Sequence, residues 1–138
     1  MERFLKEEMV NVKTIITAVI ILLIIAVAAF AFINANSHNT KVDVISNSTL
    51  KNGDMVQVVL NDEYRNVYPG ESIHIKILDD SGWANNYDVT TDDKGEASVV
   101  LSTLDNGNYT IHTNYNGTLF NKPYHGVDSL VIDDGYSY

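Results

Sequence analysis

Residues 14–33 read TIITAVIILLIIAVAAFAFI, twenty residues without a charge, a proline or a glycine. A helix rises about 1.5 Å per residue, so Thr14–Ile33 would be roughly 30 Å long, which matches the hydrocarbon core of a bilayer. A helix that is apolar on every face needs a large protein around it to be buried, and a chain of 138 residues cannot supply one. The segment therefore predicts a transmembrane helix, with membrane lipid as its partner.

A cleavable signal peptide is the alternative for the same segment. Signal peptides usually have an apolar region of about 7–15 residues, and this one is longer, which favours an uncleaved anchor. Ala29 and Ala31 nevertheless form a small-x-small pattern that is typical of a cleavage site. Cleavage of the N-terminal segment therefore stays open.

The charges on either side of the segment predict its orientation. Arg3, Lys6 and Lys13 precede it, and no Lys or Arg follows before Lys41. Cytoplasmic flanks are usually enriched in Lys and Arg, so we expect residues 1–13 in the cytoplasm. The predicted location is the cell membrane, crossed once, with the C-terminal domain extracellular.

The composition of the remaining chain excludes several classes of partner. Residues 41–138 hold 6 Lys or Arg and 15 Asp or Glu, and so carry the whole net charge of −9. An acidic domain repels nucleic acid and anionic lipid, so neither is expected to bind it. The chain has no cysteine, which excludes disulfides and thiolate metal sites.

The apolar pattern becomes alternating after residues 34–40, NANSHNT, which are polar and predict a short stalk. Residues 72–77 and 109–115 alternate most clearly, as strands with one buried face do. Glycine-containing turn signals separate about seven such short runs. Residues 41–138 are therefore predicted to form one all-β domain, an antiparallel sandwich of about seven strands.

One pattern within this domain is sharper than the rest. Asp105, Gly107, Tyr109 and Ile111 are spaced like the start of strand F in immunoglobulin-type domains, with Ile111 where many of these carry cysteine. In that corner the glycine permits a tight turn. The tyrosine packs its ring inward, and its hydroxyl bonds back to the preceding backbone.

Together with VTTDDKGEA at residues 89–97, this corner resembles the Ig-like repeats of archaeal and bacterial adhesin-like surface proteins. The resemblance covers roughly residues 67–132. It implies an Ig-like β-sandwich that acts by binding or as a structural component of the envelope, and not as an enzyme. The chain differs from such proteins in having one domain and in an insertion at residues 118–126.

Two other function classes stay open. Pilin-like subunits also carry a β-rich head behind an apolar helix, and self-association of that helix forms a filament core. They are usually processed after a Gly or Ala that follows a basic stretch, and residues 1–13 contain neither. The domain could also be an accessory domain of a surface enzyme, although no Ser–His–Asp arrangement, phosphate-binding loop or HExxH motif is visible.

Metal ligands are scarce in the sequence, and no cofactor is expected apart from a candidate Ca²⁺ ion. Asp79, Asp80, Asp92 and Asp93 supply the oxygen ligands that Ca²⁺ prefers, but neither pair fits the twelve-residue calcium loop. Turn formation explains these acids equally well. The four histidines form no pair spaced by two or four residues, so they are expected to be solvated surface residues.

Three aromatic residues are candidate contact residues. Trp83 directly follows a Ser-Gly turn, and Phe120 and Tyr124 lie in the insertion. Aromatic rings at loop tips suit contact with a surface glycan or protein. The alternative is that these rings cover the open end of the sandwich.

Three Asn-x-Ser/Thr sequons predict glycosylation, at Asn47, Asn108 and Asn116. All three lie on the predicted outer side of the membrane. Asn108 and Asn116 flank one predicted strand at its turns, where a glycan would be tolerated.

Overall fold

The structure, a computed structural model, describes residues 2–135, with side chains described from residue 11 onward. The chain divides into two compact units, a helical unit (residues 1–37) and a β unit (residues 38–138). The elements are α1 (Glu2–Asn36), β1 (Thr40–Val44), β2 (Thr49–Leu50), β3 (Met55–Asp62), β4 (Ser72–Asp79), β5 (Ala84–Thr90), β6 (Glu96–Val100), β7 (Gly107–Tyr115) and β8 (Tyr124–Ile132).

The helix α1 extends beyond the apolar segment in both directions. Its stretch Asn11–Asn36 is long and apolar enough to cross a membrane, and none of it is buried within the protein. Every side chain from residue 11 to residue 32 is exposed. The helix therefore has the length and composition of a membrane anchor or of a signal sequence.

The predicted stalk consists largely of regular structure. α1 includes its first three residues and β1 begins at its last, Thr40. At the end of the helix, Nδ2 of Asn36 donates a hydrogen bond to the carbonyl of Phe32 (2.8 Å). Oγ of Ser37 donates similarly to the carbonyl of Ile33 (2.7 Å). These bonds satisfy carbonyl groups that the last helical turn leaves open, so polar residues can prolong the apolar helix.

The strands form two sheets, one with the order β1-β3-β6 and one with the order β2-β8-β7-β4-β5. All neighbouring strands pair antiparallel except β2, which pairs parallel with the end of β8. The sequence predicts about seven strands, and β2 is the additional one. Its two residues are too few to show an alternating pattern.

The two sheets share one hydrophobic core, to which β1, β3, β4, β6, β7 and β8 all contribute buried residues. In β4, for example, Ile73, Ile75 and Ile77 are buried, whereas the residues between them are partly exposed. This period of two is the pattern expected of a sheet with one covered face. The described chain is thus mostly β, with one apolar helix before it.

One carboxylate is buried with this core. Asp62, at the end of β3, is 2% exposed. It accepts hydrogen bonds from the backbone N–H of Tyr64 and of Asn66 (2.9 Å each), from Nδ2 of Asn66 (3.1 Å) and from the hydroxyl of Tyr68 (2.7 Å). Burial raises the pKa of Asp62, but these hydrogen bonds outweigh burial and lower the pKa to about 2.

The β unit has two ends, named here by where the chain enters it. The near end carries His38, which bridges to Asn121 in the β7–β8 loop, together with the β3–β4 and β5–β6 loops. The far end carries the β2–β3 turn, the β4–β5 turn, the β6–β7 loop and the residues after β8. These two ends and the outer sheet faces are the surfaces on which a functional site can lie.

Candidate functional site

The predicted corner lies at the far end, at the start of β7. The hydroxyl of Tyr109 donates a hydrogen bond to the carbonyl of Asp105 (2.7 Å), as the pattern predicts. Burial, followed by the charge of Asp105, raises the pKa of Tyr109. Gly107 has a φ of +153°, which residues with a side chain rarely adopt, and Ile111 is buried in the core. The structure thus brings all four residues of the motif together.

A hydrogen-bond network centred on Asn52 ties the rest of the far end together. Its Nδ2 donates to the carbonyl of Leu104 (2.7 Å) and to Oδ2 of Asp134 (2.8 Å). Its Oδ1 accepts from the N–H of Leu104 (3.0 Å). The N–H of Asp134 in turn donates to Oδ1 of Asn106 (3.0 Å). Three segments that are distant in sequence are therefore held together, and no local pattern in the sequence indicates this.

Trp83 lies on the β4–β5 turn of the far end, and 71% of its surface is exposed. The turn beneath it is rigid, because Oδ1 of Asp79 accepts hydrogen bonds from the N–H groups of Ser81 and Trp83 (2.9 Å each) and from the Ser81 hydroxyl (2.7 Å). The hydroxyl bond from Ser81 is the main cause of the lowered pKa of Asp79. An exposed indole on a fixed turn is a suitable contact residue.

Phe120 and Tyr124 lie at the near end, away from the exposed tryptophan. The carbonyl of Phe120 accepts a hydrogen bond from the N–H of His38 (2.7 Å), and the N–H of Lys122 donates to the carbonyl of His38 (2.9 Å). Tyr124 is the first residue of β8 rather than part of a loop, and it packs against the core. Its ring lies over Gly126, where a Cβ atom would approach the Cε1 atom to 2.8 Å. These contacts fix the loop to the point where the chain enters the β unit.

The two acidic pairs are separated in the structure. Asp79 and Asp80 lie at the far end, whereas Asp92 and Asp93 lie in the β5–β6 loop of the near end. Oδ1 of Asp92 accepts two backbone N–H groups of its own loop (2.8 and 3.0 Å), much as Asp79 does. Among the side chains that the structure describes, no three His, Asp or Glu residues form a group that could hold a metal ion. Calcium binding by these acids stays a prediction.

The three sequons are accessible. Asn47 lies between β1 and β2, Asn108 is the second residue of β7, and Asn116 follows β7 at the near end. All three side chains are exposed. A glycan at any of them would extend into solvent, and glycosylation itself stays a prediction.

The outer face of the five-stranded sheet collects three of the four histidines, which sequence reasoning treated as separate residues. Strand register places Asn114 of β7 between His74 of β4 and His125 of β8, while His112 pairs with Lys76. These residues are far apart in sequence, so only the pairing of the strands brings them onto one surface. The alternation along each strand predicts that His74 and His112 face outward, but it does not show which strands are neighbours.

The three histidines have different surroundings. His74 is bonded at both ring nitrogens, by Nδ1 to Oδ1 of Asp88 (2.8 Å) and by Nε2 to Oδ1 of Asn86 (3.1 Å). The bond to Asp88 is the main reason why the pKa of His74 is raised. The rings of His112 and His125 instead lie next to each other, with centroids 5.8 Å apart and planes tilted by 37°.

Three surfaces of the described chain therefore bear on function: the exposed helix, the Trp83 turn and the outer face of the five-stranded sheet. No protein-family model matches the chain, and no curated protein matches it. The chemistry of these three surfaces is therefore the basis on which a function can be proposed.

Proposed function

We propose that this protein is a single-pass membrane protein that displays one Ig-like domain outside the cell, where the domain acts by binding or as a structural component of the envelope. The observation that carries this proposal is the exposed apolar stretch Asn11–Asn36. An apolar surface of this extent is unfavourable in water, whereas a lipid bilayer accommodates a helix because all its backbone groups are internally bonded.

The distribution of cations supports an N-terminus in the cytoplasm. Arg3, Lys6 and Lys13 stand before the helix, and the connection from α1 to β1 contains no Lys or Arg. Positive flanks are retained on the cytoplasmic side during insertion. The β unit would then lie on the outer side.

The order of the strands supports an Ig-like sandwich of the adhesin-like kind. Immunoglobulin domains place strands A, B and E in one sheet and strands C, F and G in the other. In this chain β1, β3 and β6 would correspond to A, B and E, and β4, β7 and β8 to C, F and G. The hydrogen bond from Tyr109 to Asp105 then lies at the start of strand F, where a tyrosine corner belongs.

Cysteine labelling in intact cells tests the topology, because the chain has no cysteine of its own. We expect a membrane-impermeant maleimide to label Ser102→Cys, at the exposed far end, in intact cells. The same reagent should label Glu7→Cys, before the apolar segment, only after lysis. The reverse labelling would contradict the orientation, and recovery of the protein in the soluble fraction without its helix would indicate a signal sequence.

A pilin-like subunit is the second candidate, because the same exposed helix could pack against copies of itself. One face of the helix, which includes Ile20, Ile24, Val27 and Ala31, is apolar and exposed along its length. Mass spectrometry of the N-terminus of the native protein separates the two candidates. An intact N-terminus would contradict the hypothesis of a pilin-like subunit. Cleavage just before the apolar segment would contradict the hypothesis of an uncleaved membrane anchor.

Trp83 is the residue that we expect to matter most for binding by the β unit. Exposed tryptophans that become buried in an interface often contribute about 2 kcal/mol or more, so Trp83→Ala should weaken binding by about thirtyfold or more. The thermal midpoint of the Trp83→Ala variant should stay within a few degrees of that of the parent, because the Trp83 side chain is mostly exposed. Binding is measured on a glycan array and on intact cells.

Tyr64→Ala is the matched control for this variant. Tyr64 is 76% exposed and lies at the near end, so its loss should leave both binding and stability unchanged. Equal losses of binding in the two variants would show that the Trp83 turn is not a specific contact surface.

A further inference from the structure

The outer face of the five-stranded sheet carries an arrangement that the proposed function does not use. His112 of β7 and His125 of β8 lie diagonally across the strand pair, because the Cα partner of His112 is Val127 and that of His125 is Asn114. We infer that these two imidazoles bind one transition-metal ion of the Zn²⁺, Ni²⁺ or Cu²⁺ class, with water in the remaining coordination positions.

The spacing of the two rings fits one shared ion. A metal that binds an imidazole nitrogen at about 2.0–2.1 Å lies about 3.2 Å from the ring centroid, so two rings on one ion have centroids roughly 5.2 Å apart at a tetrahedral angle and at most roughly 6.4 Å apart in trans positions. The observed separation of 5.8 Å is within that limit. Since both residues lie on a solvent-facing surface, water can complete the coordination shell.

The hydrogen bonds of the two rings leave one nitrogen of each for the metal. Nδ1 of His125 is bonded to Oδ1 of Asn114, and Nε2 of His112 lies 3.2 Å from Oγ1 of Thr110. In metal sites the nitrogen that does not bind the ion usually makes such a bond, which sets the tautomer and the ring orientation. Within the described part of the chain, Nε2 of His125 and Nδ1 of His112 have no hydrogen-bond partner.

His74 on the same face provides an internal comparison. Both of its nitrogens are engaged, by Asp88 and by Asn86, so it has no free nitrogen for a metal. Lys76 is the Cα partner of His112 on the same face, and its charge opposes binding of a further cation. The net charge of −9 acts in the opposite direction. Because the chain has no thiolate, imidazole is its best ligand for this class of metal.

Nickel titration of the full chain in detergent micelles tests the site without a variant. Paramagnetic Ni²⁺ should broaden the imidazole NMR resonances of His112 and His125 before those of His74 and His38. An equal concentration of Mg²⁺, which prefers oxygen ligands, should leave the imidazole resonances unchanged. Broadening that affects His74 or His38 first would overturn the proposal.

Variants measured by calorimetry with Zn²⁺ and Ni²⁺ give the second test. Removing either proposed ligand, as in His112→Ala or His125→Gln, should weaken binding at least about tenfold, whereas His74→Ala should change it less than about twofold. Circular dichroism confirms that each variant has kept its fold. If His74→Ala weakens binding as much as the others, or if His112→Ala and His125→Gln both bind like the parent, the pair is not the metal site.

Discussion

Asp62→Ala is expected to lower the thermal midpoint of the β unit by at least about 10 °C. The substitution leaves the N–H groups of Tyr64 and Asn66 and the hydroxyl of Tyr68 without their buried acceptor. Hydrogen bonds to a charged group contribute about 1.5–3 kcal/mol each, and each kcal/mol lost shifts the midpoint of a domain of this size by about 4–8 °C. Thermal unfolding of the full chain followed by circular dichroism in the β region measures the effect.

Asp43→Asn is the control for the Asp62→Ala variant. Asp43 lies on the outer side of the same sheet, where its carboxylate contacts Lys41 (3.5 Å) and Nδ2 of Asn61 (3.2 Å) near the surface. Exposed ion pairs contribute little, so its replacement should move the midpoint by only a few degrees. If the two variants melt alike, the buried carboxylate does not hold the β3–β4 loop.

The lowered pKa of Asp62 predicts how the stability of the β unit depends on pH. The pKa of Asp62 is lowered from 3.8 to about 2 on folding, so its ionised form stabilises the folded state. That contribution is complete above about pH 4 and is lost as the pH falls towards 2. Asp62→Asn should therefore have a flatter dependence of midpoint on pH than the parent in this window, and parallel curves would contradict the assignment.

Tyr109→Ala is expected to destabilise the β unit by about 2–4 kcal/mol, somewhat less than the loss of a fully buried aromatic side chain. The ring packs against the core, and the hydroxyl closes the corner onto Asp105. Tyr109→Phe keeps the ring and removes only the hydrogen bond, so it should cost about 1 kcal/mol. Chemical denaturation of both variants separates the two contributions.

Gly107→Val tests the backbone of the same corner. The added side chain would have open space around it, but the φ of +153° is unfavourable for any residue with a Cβ atom. We expect a loss of stability from backbone strain alone. Melting curves of Gly107→Val and Tyr109→Ala that coincide with that of the parent would show that the corner does not stabilise the domain.

The local parts of the fold could be predicted because they leave short-range patterns. The alternation of Ile73, Ile75 and Ile77 identifies β4 and its buried face, and the same reasoning identifies β7. The bond from Tyr109 to Asp105 spans four residues, so the motif itself contains the contact. The apolar segment gives the position of α1, although its polar ends extend further than the segment because hydrogen bonds continue the helix.

The remaining features depend on residues that are distant in the chain. The proximity of His112 to His125 requires the register of two strands, and the network of Asn52 with Asp134 requires the far end to be assembled. Asp62 continues the buried alternation of Val58 and Leu60, but an Asp before a polar turn is usually exposed, so the sequence alone does not predict its burial. For the same reason the aromatic residues Trp83 and Phe120 could not be assigned to opposite ends of the β unit before the strand pairing was known.

The parallel pairing of β2 with β8 affects how the β unit would respond to a mechanical load. The chain enters the β unit at the near end, while β8 runs to the far end. There the carboxylate of Asp134 accepts hydrogen bonds from Asn52. A pull between the two chain ends would act along β2 and β8 and load their hydrogen bonds together, including those from Val131 to Ser48 (2.8 Å) and from Asp133 to Leu50 (2.9 Å). Tension would therefore shear these bonds as a group instead of unzipping them singly, a geometry suited to a tether.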